Sequence, residues 1–123
     1  MAENERNNSK IQKIPRYLFL CGHGAKRSPT AARIGQKIAD RQDKNVDISF
    51  GGIHYASQDI EIMRSYWASF DVIFALDRYV ESKLVTYYEV PRDKIVNLDI
   101  SDNYERDDLE MVETLEEKLK GLI

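Results

Sequence analysis

One stretch of the sequence concentrates groups able to do chemistry: Cys21-Gly22-His23-Gly24-Ala25-Lys26-Arg27-Ser28-Pro29. Its two glycines, Gly22 and Gly24, permit positive φ and a close approach of backbone to a ligand. The stretch leads into a helix start, where free N–H groups and the positive dipole end favour an anion. Successive loop amides build a concavity of the same sign. Arg27 adds a planar fork matched to phosphate oxygens. A cysteine at the mouth of such a concavity is set up to exist as the thiolate, its nucleophilic form. A thiolate facing an oxyanion cradle is equipped for phosphoryl transfer. No Walker loop of the form G-x-x-x-x-G-K-[ST] can be placed here. The plainer alternative is a core cysteine before a glycine turn.

The surrounding pattern supplies elements to position that loop. Tyr17-Leu18-Phe19-Leu20 is short, apolar and aromatic, as a buried strand is. Ser28 to Gln42 reads as a helix with Ser28 at the N-cap, Pro29 at the first helical position, and Ala31, Ile34, Ile38 and Ala39 on one face. Val46, Ile48 and Phe50 alternate with polar residues in a strand ended by Gly51-Gly52. Met63, Tyr66, Trp67 and Phe70 predict a second helix over 59–69. Val72 to Leu76 is apolar on both faces, as a central parallel strand is. Asp77 suits the cap of a helix running to about Tyr87 with Val80 and Leu84 inward, and Ile95 to Leu98 makes a fourth strand. A last helix starts around Asp107-Asp108-Leu109-Glu110, where Asp107 and Glu110 have capping-box spacing. Its expected buried face is Leu109, Val112, Leu115, Leu119 and Leu122.

Strands separated by helices imply right-handed βαβ units, hence an α/β three-layer sandwich: a four-stranded parallel sheet with helices on both faces. Ligands of such sheets sit beyond the carboxyl ends of the strands. Three segments leave the sheet there: Cys21 to Arg27, Asp77, and Asp99 to Tyr104.

Composition narrows the remaining choices. The chain has 123 residues, 42% hydrophobic and 32% charged, which suits one globular domain. We expect that domain over residues 15–123, behind a polar tail over 1–14. Eighteen basic residues against 21 acidic ones give a net charge of −3, which recommends neither nucleic acid nor an anionic membrane as partner. The longest apolar run is far short of the ~20 residues of a membrane span, and the N-terminus has no apolar signal-peptide region. With Cys21 the only cysteine, neither an intrachain disulfide nor a multi-cysteine zinc site can form. No metal and no cofactor is expected, and a reduced, cytoplasmic setting is the default.

The Cys21–Pro29 stretch resembles the signature C-x-x-x-x-x-R-[ST]-P of the low-molecular-weight protein tyrosine phosphatases, in particular their compact prokaryotic members. Ile100-Ser101-Asp102-Asn103-Tyr104 resembles that family's late Asp-Pro-Tyr loop, Gly51-Gly52 its turn after the second strand, and Ala75-Leu76-Asp77 its Met-Asp at the end of the third. The resemblance covers roughly Tyr17 to Leu122 and implies strand order 2-1-3-4. It implies a phosphatase that hydrolyses phosphotyrosine, in a protein or as a small aryl phosphomonoester, through a phosphocysteine. Cys21 would be the nucleophile. Arg27 and the amides of Gly22, His23, Gly24, Ala25, Lys26 and Arg27 would hold phosphate or another oxyanion. Ser28 would hydrogen-bond the sulfur, Asp102 would be the general acid and then base, and Tyr104 would wall the substrate, with His54 and Tyr55 candidates for the opposite wall. Three positions depart from the family pattern: Gly24 stands where asparagine is common, Lys26 where many members have a second cysteine, and Asn103 where proline follows the acid. Asp99 is the alternative acid, with Asp107 and Asp108 behind it. The alternative functions are an arsenate reductase using an external thiol and a non-catalytic phosphate- or phosphoprotein-binding module. A phosphoarginine phosphatase is a narrower variant, disfavoured by Ala25, and a cysteine-phosphorylated sugar-transport component is disfavoured by Arg27-Ser28-Pro29.

Overall fold

The β-formers Tyr17 to Leu20 lie in β1 (Arg16–Cys21) of the computed structural model, which describes residues 13–123. The other elements follow in the order α1 (Arg27–Arg41), β2 (Asp47–Gly52), α2 (Ile60–Ala68), β3 (Val72–Ala75), α3 (Arg78–Thr86), β4 (Ile95–Asn97) and α4 (Leu109–Leu119), with short 3-10 turns at Ile53–Tyr55 and Arg92–Lys94. All neighbouring strands pair in parallel, in the order β2-β1-β3-β4. Phe19 stands opposite Phe50 on one side and Phe74 on the other.

The sheet separates two apolar layers because successive side chains of a strand point to opposite faces. Phe19 and Cys21 face α1 and α4, among Ala31, Ile34, Met111 and Leu115. Leu18 and Leu20 face α2 and α3, among Met63, Trp67, Val80 and Leu84. Phe19 and Phe74 stack within the first layer at 4.7 Å, an added attraction beyond their buried area. With apolar cover on both sides, β1 and β3 need no polar face, which is why their sequences do not alternate.

The helix starts correct several expectations. α1 begins at Arg27 behind Lys26, and no side chain caps it. Ser28 is therefore inside the first turn, and its hydroxyl is used elsewhere. Asp59 and Asp77 do cap α2 and α3, accepting from Ile62 N and Val80 N. For α4 the cap is Asp108, which accepts from Glu110 N, and the Asp107–Glu110 capping box does not form. Asp107 has φ +61 and turns toward α1 instead. The buried face of α4 is Met111, Leu115 and Leu119. Leu109 is 72% exposed at the first helical position, and Leu122 is 44% exposed beyond the helix end, where Ile123 takes the buried place. β2 runs through Gly51 and Gly52, which pair with Leu20 and Cys21. Residues 1–12 of the expected tail lie outside the described residues. Among the described residues, no helix is long and apolar enough to cross a membrane.

Candidate active site

Beyond the carboxyl ends of β1 and β3 lies a cavity of about 450 Å³ lined by Cys21, Gly22, His23, Ala25, Lys26, Arg27, His54, Asp77, Tyr79 and Asp102. The loop from Cys21 to Lys26 turns back over the end of its own strand. The Gly24 N–H thereby donates to Cys21 Sγ at 3.1 Å. On the other side of the sulfur, Ser28 Oγ stands at 3.2 Å. That same hydroxyl is 3.2 Å from Gly51 O. A hydroxyl has one proton, so Ser28 donates to Gly51 O while Cys21 is a thiol and can donate to the sulfur once it is a thiolate. Both neighbours of Sγ are thus able to stabilise negative charge on it.

Gly24 has φ +73. A Cβ there would lie 2.7 Å from both Gly51 C and Gly52 N, and a Cβ on Gly52 would lie 2.3 Å from His23 C. The Cys21–Lys26 loop rests directly on the Gly51-Gly52 backbone at the end of β2. This contact braces the loop without a side chain. The 3-10 turn that follows is tied to the same loop, since His54 N–H donates to Gly22 O at 3.0 Å.

Arg27 is buried, at 7% exposure. Its Nη1 donates to Asp77 Oδ2 and to Ile100 O, each at 2.8 Å. Asp77 divides its carboxylate: Oδ1 caps α3 through Val80 N at 3.0 Å while Oδ2 holds Arg27. A buried guanidinium needs such partners, and with Nη1 fixed on two of them the rest of the fork is pre-oriented rather than free to rotate. Lys26 Nζ pairs with exposed Glu105 at 3.1 Å.

The segment after β4 is held at its base. Ile100 N–H donates to Leu76 O at 2.7 Å, and Lys118 Nζ donates to Leu98 O at 2.7 Å and Asp99 O at 3.2 Å. From that base the chain brings exposed Asp102 to the cavity. Asp99 does not line it; φ +52 and the bond from its N–H to Asn97 Oδ1 turn it aside. Asp107 and Asp108 are engaged with α1 and α4 respectively.

Of the expected wall residues, His54 lines the cavity, while Tyr104 and Tyr55 do not. The Tyr104 ring packs against the α1–α4 layer and its hydroxyl donates to Glu110 Oε2 at 2.8 Å, a bond to a carboxylate that raises the phenol's pKa above 10.0. Tyr55, at 74% exposure, lies over a separate apolar groove with Ile62 and Tyr66. His54 stands in a row of rings at the cavity wall: His23 and His54 at 4.5 Å between centroids, then His54 and Tyr79 at 5.6 Å. Nothing in the type or spacing of Tyr79 marks it as a wall residue. Its one signal was position, two residues after Asp77 in the first turn beyond β3. Gly24 contributes its N–H and its back, not a lining surface. Among the described residues, no group of three His, Cys, Asp or Glu side chains is placed to hold a metal ion.

No family model matches the sequence, and no curated protein matches it. Solved structures do. Wzb from Vibrio vulnificus, in complex with benzylphosphonate, superposes with a TM-score of 0.67 over 89% of this chain and 97% of its own, at 16% identity. A low molecular weight protein tyrosine phosphatase from T. tengcongensis gives 0.61 over 85% and 92%, at 21% identity. A YwlE mutant from Bacillus subtilis gives 0.64 over 88% and 95%, at 19% identity. The chain has the fold of these proteins nearly end to end, including the strand order expected from sequence.

Proposed function

We propose that this chain is a cysteine-dependent phosphatase that hydrolyses aryl phosphomonoesters, phosphotyrosine among them, through a phosphocysteine. The observation that carries the reading is the meeting of three groups in one cavity: Cys21 at its base, Arg27 with the loop amides around it, and Asp102 at its edge. The fold it shares with low molecular weight protein tyrosine phosphatases supports the same reading.

The chemistry divides among the residues as follows. The Cys21 thiolate attacks phosphorus in line with the leaving oxygen, forming the S–P bond as the O–P bond breaks. Arg27 and the loop amides from Gly22 to Arg27 other than that of Gly24 take up the charge on the non-bridging oxygens, where fixed donors act most strongly. Asp102 gives its proton to the leaving phenoxide, then removes one from the water that attacks phosphorus and returns the thiolate. Ser28 and Gly24 N–H hold the sulfur in both steps. The rings of His54 and Tyr79 offer a flat aryl group a wall at the cavity side. A reducing, cytoplasmic setting suits a lone thiol of this kind.

The test is phosphate release from p-nitrophenyl phosphate. Cys21→Ser should abolish turnover and still bind phosphate, because the cradle does not depend on the sulfur. Asp102→Asn should lower kcat by about 10²–10⁴, whereas the same pattern in Asp99→Asn alone would move the acid to that residue. Activity lost to EDTA and restored by a divalent metal would refute the mechanism.

A further inference from the structure

The sequence singles out Thr30 and Arg33 for nothing, yet both reach from α1 to the segment that carries Asp102. Thr30 is 1% exposed. Its Oγ1 is 3.0 Å from Lys26 O, in the oxyanion loop, and 3.2 Å from Asp107 Oδ1. The same oxygen accepts the Asp107 N–H at 3.2 Å. One buried hydroxyl therefore touches both the anion cradle and the far end of the acid-bearing segment. Its single proton is shared between Lys26 O and Asp107 Oδ1, and its lone pairs serve Asp107 N. Arg33 Nη2 closes the same carboxylate at 2.6 Å.

The backbone of Asp107 makes this contact expensive to hold elsewhere. Its φ of +61 is a left-handed conformation that aspartate tolerates better than most residues, and here Thr30 and Arg33 hold its side chain. The opposite end of the segment is fixed independently by Ile100, through Arg27 and Leu76. Asp102 stands between these two anchors, with no hydrogen bond from its own carboxylate among those of the described residues.

We infer that Thr30, with Asp107 and Arg33, is a positioning clasp that sets the distance between the oxyanion loop and the general acid Asp102. The inference rests on the phosphatase reading above. The clasp acts on proton delivery, not on anion binding, because its target is the acid-bearing segment, while the cradle is braced separately by Gly51-Gly52 and by Asp77. Displacing a catalytic group by on the order of 1 Å costs about 10²-fold; the loss falls on substrates whose leaving group needs the proton.

The test compares Thr30→Val, Thr30→Ser and Asp107→Asn with the parent chain over a series of aryl and alkyl phosphates of rising leaving-group pKa. The quantity read is kcat/KM, which reports the steps up to transfer onto Cys21. Thr30→Val should steepen the dependence on leaving-group pKa, with a loss of ~10–10²-fold for the poorest leaving group and little change for the best. Thr30→Ser, which restores the hydroxyl, should recover the parent slope. Asp107→Asn keeps a residue tolerant of positive φ and should fall between them. Phosphate affinity should stay at the parent value in all three. An unchanged slope in Thr30→Val refutes the clasp. So does a loss equal across all leaving groups and matched by weaker phosphate binding, which would make Thr30 a support of the cradle. Asp102→Asn run in parallel separates the two levels: if it leaves the slope unchanged, the acid assignment fails and the clasp with it. If Asp102→Asn steepens the slope and Thr30→Val does not, only the clasp fails.

Discussion

Three glycine-to-alanine substitutions separate what the oxyanion loop owes to backbone conformation from what it owes to contact. Gly121 has φ +80 and open space around its missing Cβ, so Gly121→Ala isolates the conformational cost, ~1–2 kcal/mol for a left-handed residue. Gly52 has an ordinary φ of −117, but its Cβ would fall 2.3 Å from His23 C and 2.6 Å from His23 O. Favourable separations are about 3.5–4.0 Å, so Gly52→Ala isolates overlap, at ~1–3 kcal/mol after the neighbours shift. Gly24→Ala combines both, with φ +73 and atoms of Gly51 and Gly52 at 2.7 Å, for a total of about 2–5 kcal/mol. Relief can come only from lifting the loop off β2 by on the order of 1 Å, enough to cost about 10²-fold in a catalytic step. Urea unfolding should rank the losses Gly121→Ala, Gly52→Ala, Gly24→Ala in rising order. Phosphate affinity and kcat/KM should fall in the last two and hold in the first. Parent-like stability and phosphate affinity in Gly52→Ala would refute the claim that backbone packing braces this loop.

Other outcomes follow from the same geometry. Arg27→Lys should lower kcat/KM by ~10²–10³-fold, as loss of a fixed oxyanion donor does, because an ammonium cannot hold Asp77 and Ile100 O while presenting a fork to phosphate. Peroxide without thiol should convert Cys21 to sulfinic acid, read as a gain of two oxygens by intact mass, with activity not restored by dithiothreitol, since no second cysteine can trap the sulfenic acid; full recovery after long exposure would contradict this. Asp71 accepts Arg16 N–H at 2.7 Å and pairs with Lys13 at 3.0 Å, and these hold its carboxyl below the ordinary 3.8. A lowered value contributes stability that is full above the unfolded pKa and disappears as pH falls through the folded one. Asp71→Asn should therefore flatten the fall of stability below about pH 4, checked by urea unfolding against pH.

The half of the candidate site that holds the proposed nucleophile was legible in the sequence because that half is contiguous. Cys21, the glycines, Arg27 and Ser28 fall within one turn between a strand and a helix, and each residue type has a physical reason to be there. The alternation of strands and helices was legible because the elements are short, regular and separated by clear breaks, whereas the strand order 2-1-3-4 came from the family resemblance and agrees with the structure. Of the two acids that resemblance offered, Asp102 lines the cavity and Asp99 does not. What stayed illegible depends on partners distant in the chain. Nothing local in Asp107 distinguishes it from Asp108 as a helix cap; a buried hydroxyl on α1 decides it. Tyr104 has the right type for a wall, but Glu110 and the α1–α4 layer take it away from the cavity, and Tyr79 fills part of that place from another strand end. The glycine pair after Phe50 read as the end of a strand, whereas backbone pairing with β1 carries the strand through it.

Because β1, first in the chain, lies inside the sheet between β2 and β3, the sheet cannot grow outward from one edge in sequence order. The pairings of β1 with β2 around α1 and of β3 with β4 around α3 close much shorter loops than the pairing of β1 with β3, and short-range pairings form soonest. The β1–β2 unit already contains Cys21, Gly24, Arg27, Ser28 and the Gly51-Gly52 seat. Asp102 and Asp107 arrive only once β3, with β4, has joined β1. A refolding chain should therefore become an anion trap before it becomes a catalyst, and ligand present at that stage stabilises the growing structure by mass action. In pulse-labelling hydrogen exchange, the amides that pair β1 with β2 should gain protection ahead of those that pair β1 with β3, and phosphate should speed refolding even in a chain carrying Asp102→Asn.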